Sequence, residues 1–336
     1  MYYPMKFKPI YKEMVWGGSR LKEKYGRDIP SDKTGEAWDV SCRDDAMSII
    51  VNGEYAGRPF REVLDLDQKG FLGSRLSNYD VFPLLAKIID ANEDLSIQVH
   101  PNDDYAQKTE NLRFGKTEMW YILYAPPGAS LIMGLNKEVT TDEIINAACD
   151  GSIEHILKKL PVQESDVIEI PAGLIHALTA GVMVLEIQQN SNTTYRLYDY
   201  GKVGLDNKPR ELHITKAADV IDIDLNLNVH KAAGSLVCVF GDGNIITRCL
   251  TNAHFTIDKY VISSMKINEG SDGSRFSIFT CVDGSCVINT DGGGVDLNTS
   301  ESVFMPAAIG DYSIFANNCT LIKSYVTIDS LYVHKA

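Results

Sequence analysis

The 336 residues include 32 basic and 45 acidic side chains, for a net charge of −13. That balance disfavours nucleic acid and anionic membranes as partners, since both need a basic footprint. The length allows roughly two domains with substantial cores, and seven scattered cysteines without a CxxC pair fit a reducing cytoplasm better than a disulfide framework.

The first residues, MYYPMKFKPIYKEMVWGG, contain no apolar signal-peptide core, and nowhere do 18 apolar residues run together. Neither a signal peptide nor a membrane span is therefore expected. A helix is expected at RPFREVLDLDQKGFLG, residues 58–73. LSIQVHPND, residues 95–103, reads as a buried strand. Alternate side chains on a strand face opposite ways, so Gln98 and His100 project together while Ile97 and Val99 point away from them. Thr140–Leu160 has helical spacing, and Thr140 with Glu143 makes a capping box at its start. WYILYAPPGASLIMG, DVIEIPAGLIHAL and GVMVLEIQQNSNTTYRLYDYG read as short strands separated by turn residues. A third helix is expected around ITKAADVI. Many short strands with regular turn signals predict a mainly β, jelly-roll architecture.

Two distant stretches resemble each other. SDVIEIPAGLIHAL from Ser165 and SESVFMPAAIGDYSI from Ser300 share their apolar pattern into Pro-Ala, and each follows a strand that ends in a Gly turn, at Gly128 and at Gly284. The Gly-to-Pro interval is 43 residues in the first copy and 22 in the second, an excess of 21 that matches the Thr140–Leu160 stretch. The expected organisation is thus two cupin-like jelly-roll β-units, the first carrying a short helical insertion at about 140–160. Residues 1–230 would form the catalytic domain and 231–336 a degenerate second unit. In this alignment Asp311 stands opposite His176 and Ser274 opposite Glu118, so a metal held by the first unit would have no counterpart in the second.

Four candidate metal ligands emerge in the first unit: Gln98, His100, Glu118 in GKTEMWYIL and His176 in PAGLIHAL. Two imidazoles and a carboxylate are a recognised catalytic set for zinc, with a carboxamide oxygen a less usual fourth ligand. Apolar neighbours on both sides of Glu118 make an unpaired carboxylate there costly.

The joint pattern SIQVHP, GKTEMWYIL, IPAGLIHAL, EIQQNSNTTYRLYDYGK and RELHITKA resembles the type I mannose-6-phosphate isomerases, zinc-dependent cupin enzymes, in their shorter bacterial form. The likeness runs from Met5 to about Val220. It implies that Gln98, His100, Glu118 and His176 hold one zinc ion per chain, and that the chain interconverts mannose 6-phosphate and fructose 6-phosphate by proton transfer between C1 and C2. It further implies catalytic roles for Arg196, Glu186 and Lys116, and substrate contacts for Trp16, Glu36, Lys87, Ser96 and Lys202. Arg210 and His213 belong to the family motif and stand evenly between structural and functional roles. Asn192 occupies a position where some relatives carry an acid, which leaves the proton relay open. The partner implied is a small sugar phosphate, and the absence of any coiled-coil pattern predicts a monomer or at most a homodimer. The rival readings are a metal-holding cupin that binds a sugar or sugar phosphate without turnover, and an iron cupin oxygenase, which the Gln-containing set suits less well.

Overall fold

Short strands dominate, as the period-two patterning predicts, and helices fill the connections. The computed structural model describes residues 1–77, 79–240 and 243–328. The chain forms two compact units that interleave along the sequence. One comprises Tyr11–Ala37 and Ala86–Ala232, the other Met1–Ile10, Trp38–Leu85 and Ala233–Ala336. Two N-terminal segments belong with the C-terminal stretch in one unit. The cause is non-local pairing: Met5–Lys8 bonds on one side to Ser302–Met305, with Met5 opposite Phe304, and on the other to Ile49–Ile50. No local sequence pattern reports such a partnership.

The Tyr11–Ala37 and Ala86–Ala232 unit contains a five-stranded sheet in the order Leu157–Pro161, Ser130–Leu135, His176–Ala177, Ile97–Val99, Tyr195–Tyr198. A six-stranded sheet runs Val167–Ile170, Glu118–Tyr124, Met183–Gln189, Leu84–Asp90, Thr34–Val40, Ile10–Gly18. Alternation decides what each face meets. Leu131 and Met133 join Trp120, Ile122 and Ile168 of the other sheet in one apolar cluster, so the sheets pack face to face. Ile132, Ile97 and Val99 point the opposite way, onto Ile144, Ala148 and Ala217 of the covering helices Thr141–Asp150 and Ile214–Val220. Each aliphatic side chain buried there contributes about 1.5–3 kcal/mol. This arrangement leaves Gln98 on the inner face, as the strand reading requires.

Two helix expectations need correction. The stretch 58–73 forms two short helices, Phe60–Leu64 and Gln68–Leu72, because Asp67 accepts a bond from the Gly70 amide and starts the second afresh. The capping box at Thr140 and Glu143 is present, but the helix stops at Asp150, where Gly151 takes a left-handed φ of 82°. A 3-10 turn, Ile153–Ile156, follows, and Leu157–Pro161 becomes a strand paired with Ser130–Leu135. The insertion is therefore part helix, part sheet edge.

The other unit is built on a ten-stranded sheet whose long strands Phe255–Gly270 and Asp311–Val326 pair along their lengths. The internal repeat is visible in its pairing. Val167–Ile170 bonds to Glu118–Tyr124 in the first copy, as Ser302–Met305 bonds to Ser277–Asp283 in the second. The likeness extends to backbone conformation, since Ser165 and Ser300 both adopt left-handed φ values, 72° and 73°.

Candidate active site

Three strands deliver the ligand candidates to one place. His176 lies directly opposite Gln98, and Gln98 opposite Arg196, across adjacent strands of the five-stranded sheet. Directly opposed residues share a face, so all three project toward the inner side. Glu118 opens the strand of the facing sheet, and His100 follows the Ile97–Val99 strand immediately.

The ligand atoms of His100, Glu118 and His176 lie within 4.8 Å of one another, and all three residues are fully buried. His100 Nε2 is 3.2 Å and His176 Nε2 3.9 Å from the Glu118 carboxylate, and the Gln98 amide nitrogen is 3.3 Å from His176 Nε2. The His176 Nδ1–H donates to the Leu174 carbonyl at 2.9 Å, which fixes the tautomer and leaves Nε2 with its lone pair facing the cluster. Burial, reinforced by Lys116, pushes the His100 imidazole down to about 3, and burial lowers His176 as well. Both rings are neutral near pH 7 and keep their donor electrons. Burial opposes the charge on Glu118, yet Lys116 at 2.5 Å and the two imidazoles hold its carboxyl well below the usual range. The chemistry fits a divalent cation: a buried carboxylate converging with two neutral imidazoles, beside the Lys116 ammonium, is a donor set that such an ion would complete.

A second polar cluster adjoins the first. Lys87 Nζ lies 2.9 Å from Glu186 Oε1 and 3.4 Å from Glu36 Oε2. Burial, with Glu118 nearby, raises the Glu186 carboxyl, and Lys87 pulls it back only in part. Of the remaining sequence candidates, Ser96 Oγ is 3.4 Å from Gln98 Oε1. Trp16 is buried in the apolar cluster with Trp120 and Ile89, a core position. Arg196 donates from Nη1 to the Glu211 carbonyl, and its buried Nε has no partner among the described residues. Lys202 is tied to Glu93 and to the Asp94 carbonyl, both at 2.8 Å. Arg210 grips Asp199 with two bonds, and His213 Nδ1 accepts from the Arg196 amide, so these two support the Tyr195–Tyr198 strand, which carries Arg196, and the residue after it.

Two residues escaped the sequence reading. The Trp120 indole N–H donates to Glu186 Oε2 at 2.7 Å, while its ring meets the His176 imidazole edge-on at 5.4 Å; one side chain thus touches both clusters. Its place two residues after Glu118 was the available signal. Asn226, wholly buried, accepts from the Ile175 amide and donates to the Gly173 carbonyl, each at 2.8 Å, and so pins the loop leading into His176. Gly134, at φ +72°, lets the Asn226 carbonyl come so close that a Cβ would stand 2.2 Å from it. Replacing Asn226 by Ala strands the buried Ile175 amide, while the Gly173 carbonyl keeps its bond from the Asp222 amide, and is expected to cost about 1–3 kcal/mol of stability together with weaker metal retention. A denaturant midpoint and metal content per chain, measured together, check this.

Facing sheets closed around a buried His–Glu–His cluster define a cupin with a metal-capable centre. The profile described as "Phosphomannose isomerase type I, catalytic domain" matches residues 5–118, and "Mannose-6-phosphate isomerase, cupin domain" matches residues 244–326. The chain is 36% identical over 314 residues to the probable mannose-6-phosphate isomerase GmuF of Bacillus subtilis, covering 94% of this chain and 96% of that one. It is 38% identical over 260 residues to the mannose-6-phosphate isomerase ManA of the same organism, covering 77% and 80%. The crystal structure of a mannose 6-phosphate isomerase from Bacillus subtilis superposes with a TM-score of 0.87 at 32% identity, over 96% of this chain and 99% of that one. The chain belongs to the type I mannose-6-phosphate isomerase family.

Proposed function

We propose that this protein interconverts mannose 6-phosphate and fructose 6-phosphate, with one zinc ion held by Gln98, His100, Glu118 and His176. The observation that carries the reading is the buried His–Glu–His cluster set beside a second carboxylate, Glu186, whose pKa is raised. A divalent cation there supplies Lewis acidity to the sugar's carbonyl and hydroxyl oxygens. Glu186, as its carboxylate, removes the proton from C2 of the open-chain aldose; as the acid so formed, it returns that proton to C1, through an enediol. Lys116, 2.5 Å from Glu118, offers its ammonium to the oxygen on which negative charge develops. Arg196 and Lys202 bind the phosphate dianion, for which planar and point cations are complementary. Lys87, buried between Glu36 and Glu186, orients the carboxylate from within the protein. Ser96 steadies the Gln98 amide. The catalytic unit in this reading is Tyr11–Ala37 with Ala86–Ala232. Seven free cysteines support a reducing, cytoplasmic setting.

A coupled assay that supplies mannose 6-phosphate and follows fructose 6-phosphate tests the reading. Activity should disappear on chelation and return with added zinc; activity that survives complete metal removal overturns the metal assignment. Binding of the sugar phosphate with no turnover by the metal-loaded protein would instead favour a non-catalytic cupin. Trp120→Phe, which removes the indole donor while keeping an aromatic ring, is expected to lower kcat about tenfold with KM and metal content unchanged in steady-state and elemental measurements.

A further inference from the structure

The C-terminal unit has a cavity of about 200 Å3 whose lining includes Arg275, Tyr312, Lys323 and Tyr325. We propose that this cavity binds a small organic oxyanion, a carboxylate or a phosphate, without any metal. The repeat alignment used above sets Lys116 against Asp272, Trp120 against Phe276, Leu174 against Ile309 and Gln188 against Lys323. All four of the second-copy residues line the cavity. The aligned counterparts of the ligand residues themselves, Ser274 and Asp311, stand outside this lining.

Its polar wall is built from within the barrel. Lys323 Nζ lies 2.7 Å from Glu269 Oε2 and 3.1 Å from the Tyr312 hydroxyl, and the hydroxyls of Tyr260 and Tyr312 donate to the same carboxylate at 2.5 and 2.6 Å. The surrounding core is apolar, including Phe279, Ile314 and Leu321. An ion pair half-buried beside such residues, with each side chain 17% exposed, gains little over apolar replacements of equal volume, so stability is a weak reason for keeping this one. Arg275 supplies a second cation. Its Nη1 donates to the Val326 carbonyl at 3.2 Å and its guanidinium stacks on Tyr325 at 4.6 Å, while Nε and Nη2 have no partner among the described residues.

A guanidinium held flat on a ring presents a fork that matches a carboxylate or phosphate. Phe276, Met305 and Ile309 give the remaining wall an apolar surface for a carbon skeleton. Asp272, exposed at the rim, disfavours a second anionic group there and accepts a ligand hydroxyl. The volume equals that of about seven waters, which admits a small hydroxy acid or a short phosphorylated polyol and excludes a nucleotide.

Calorimetric titration of the full, metal-loaded chain with citrate, and separately with inorganic phosphate, tests the proposal. At least one anion should bind, and its affinity should fall by roughly tenfold or more in Arg275→Ala. The same loss is expected in Ser277→Phe, which fills the cavity. Both variants should keep the isomerase kcat/KM within about twofold of the parent and an unchanged circular dichroism spectrum. Citrate alone binding assigns carboxylates, phosphate alone assigns phosphates, and either supports the site. Failure of both anions to bind at millimolar concentration overturns it. So does binding that persists in both variants, or that is abolished by Arg196→Ala instead, which would assign it to the catalytic unit.

Discussion

His176→Ala should leave a folded protein that no longer retains its metal and whose kcat/KM falls by a factor on the order of 10³ or more. The size follows from the geometry. His176 is wholly buried, its tautomer is set by the Leu174 carbonyl, and its Nε2 faces Glu118 and Gln98, so no neighbouring side chain can swing in as a substitute. The truncation opens a cavity between the sheets, and large-to-small changes of this kind cost about 2–5 kcal/mol; thermal unfolding must therefore accompany the assay. Elemental analysis of protein purified without chelator reads metal retention directly. Full metal content with lost activity would separate His176 from metal binding, and full activity would remove it from the site.

Glu186→Gln carries the second large effect. The amide keeps the size and can still accept from the Trp120 indole, but it cannot take a proton, so kcat should fall by about 10²–10⁴ with KM little changed. The pH profile adds a readout that misfolding would not mimic. Burial and the nearby Glu118 charge raise the Glu186 carboxyl above the ordinary range, with Lys87 opposing. Catalysis needs the carboxylate, so the rate of the parent should decline as pH falls through that raised pKa, and this limb should be absent from the residual activity of the variant. A variant that keeps the parent rate would transfer proton movement to another group.

The convergence of Gln98, His100, Glu118 and His176 was legible because each stands in a short stretch whose period-two pattern reveals its face, and because the order of those stretches follows a family pattern. The inner-face placement of Gln98 against Ile97 and Val99 could be read from LSIQVHPND alone. Register could not. That Trp120 donates to Glu186 depends on which strands are neighbours and by how much they are offset, and Asn226 reaches Gly173 across more than fifty residues. Lys87 shows the same limit from another direction, since a lysine in PLLAKIID signals a cation but not the two carboxylates that enclose it. The end of the Thr140–Leu160 insertion was misread because the pairing of Leu157–Pro161 with Ser130–Leu135 overrides local helical spacing.

The pairing of Met5–Lys8 with Ser302–Met305 also bears on how this gene can change. A shortened reading frame ending near residue 232 would leave the opening strand with one unsatisfied row of amides and carbonyls, an adhesive margin prone to aggregation. Deletion of the C-terminal unit is thereby penalised through the very first strand of the chain.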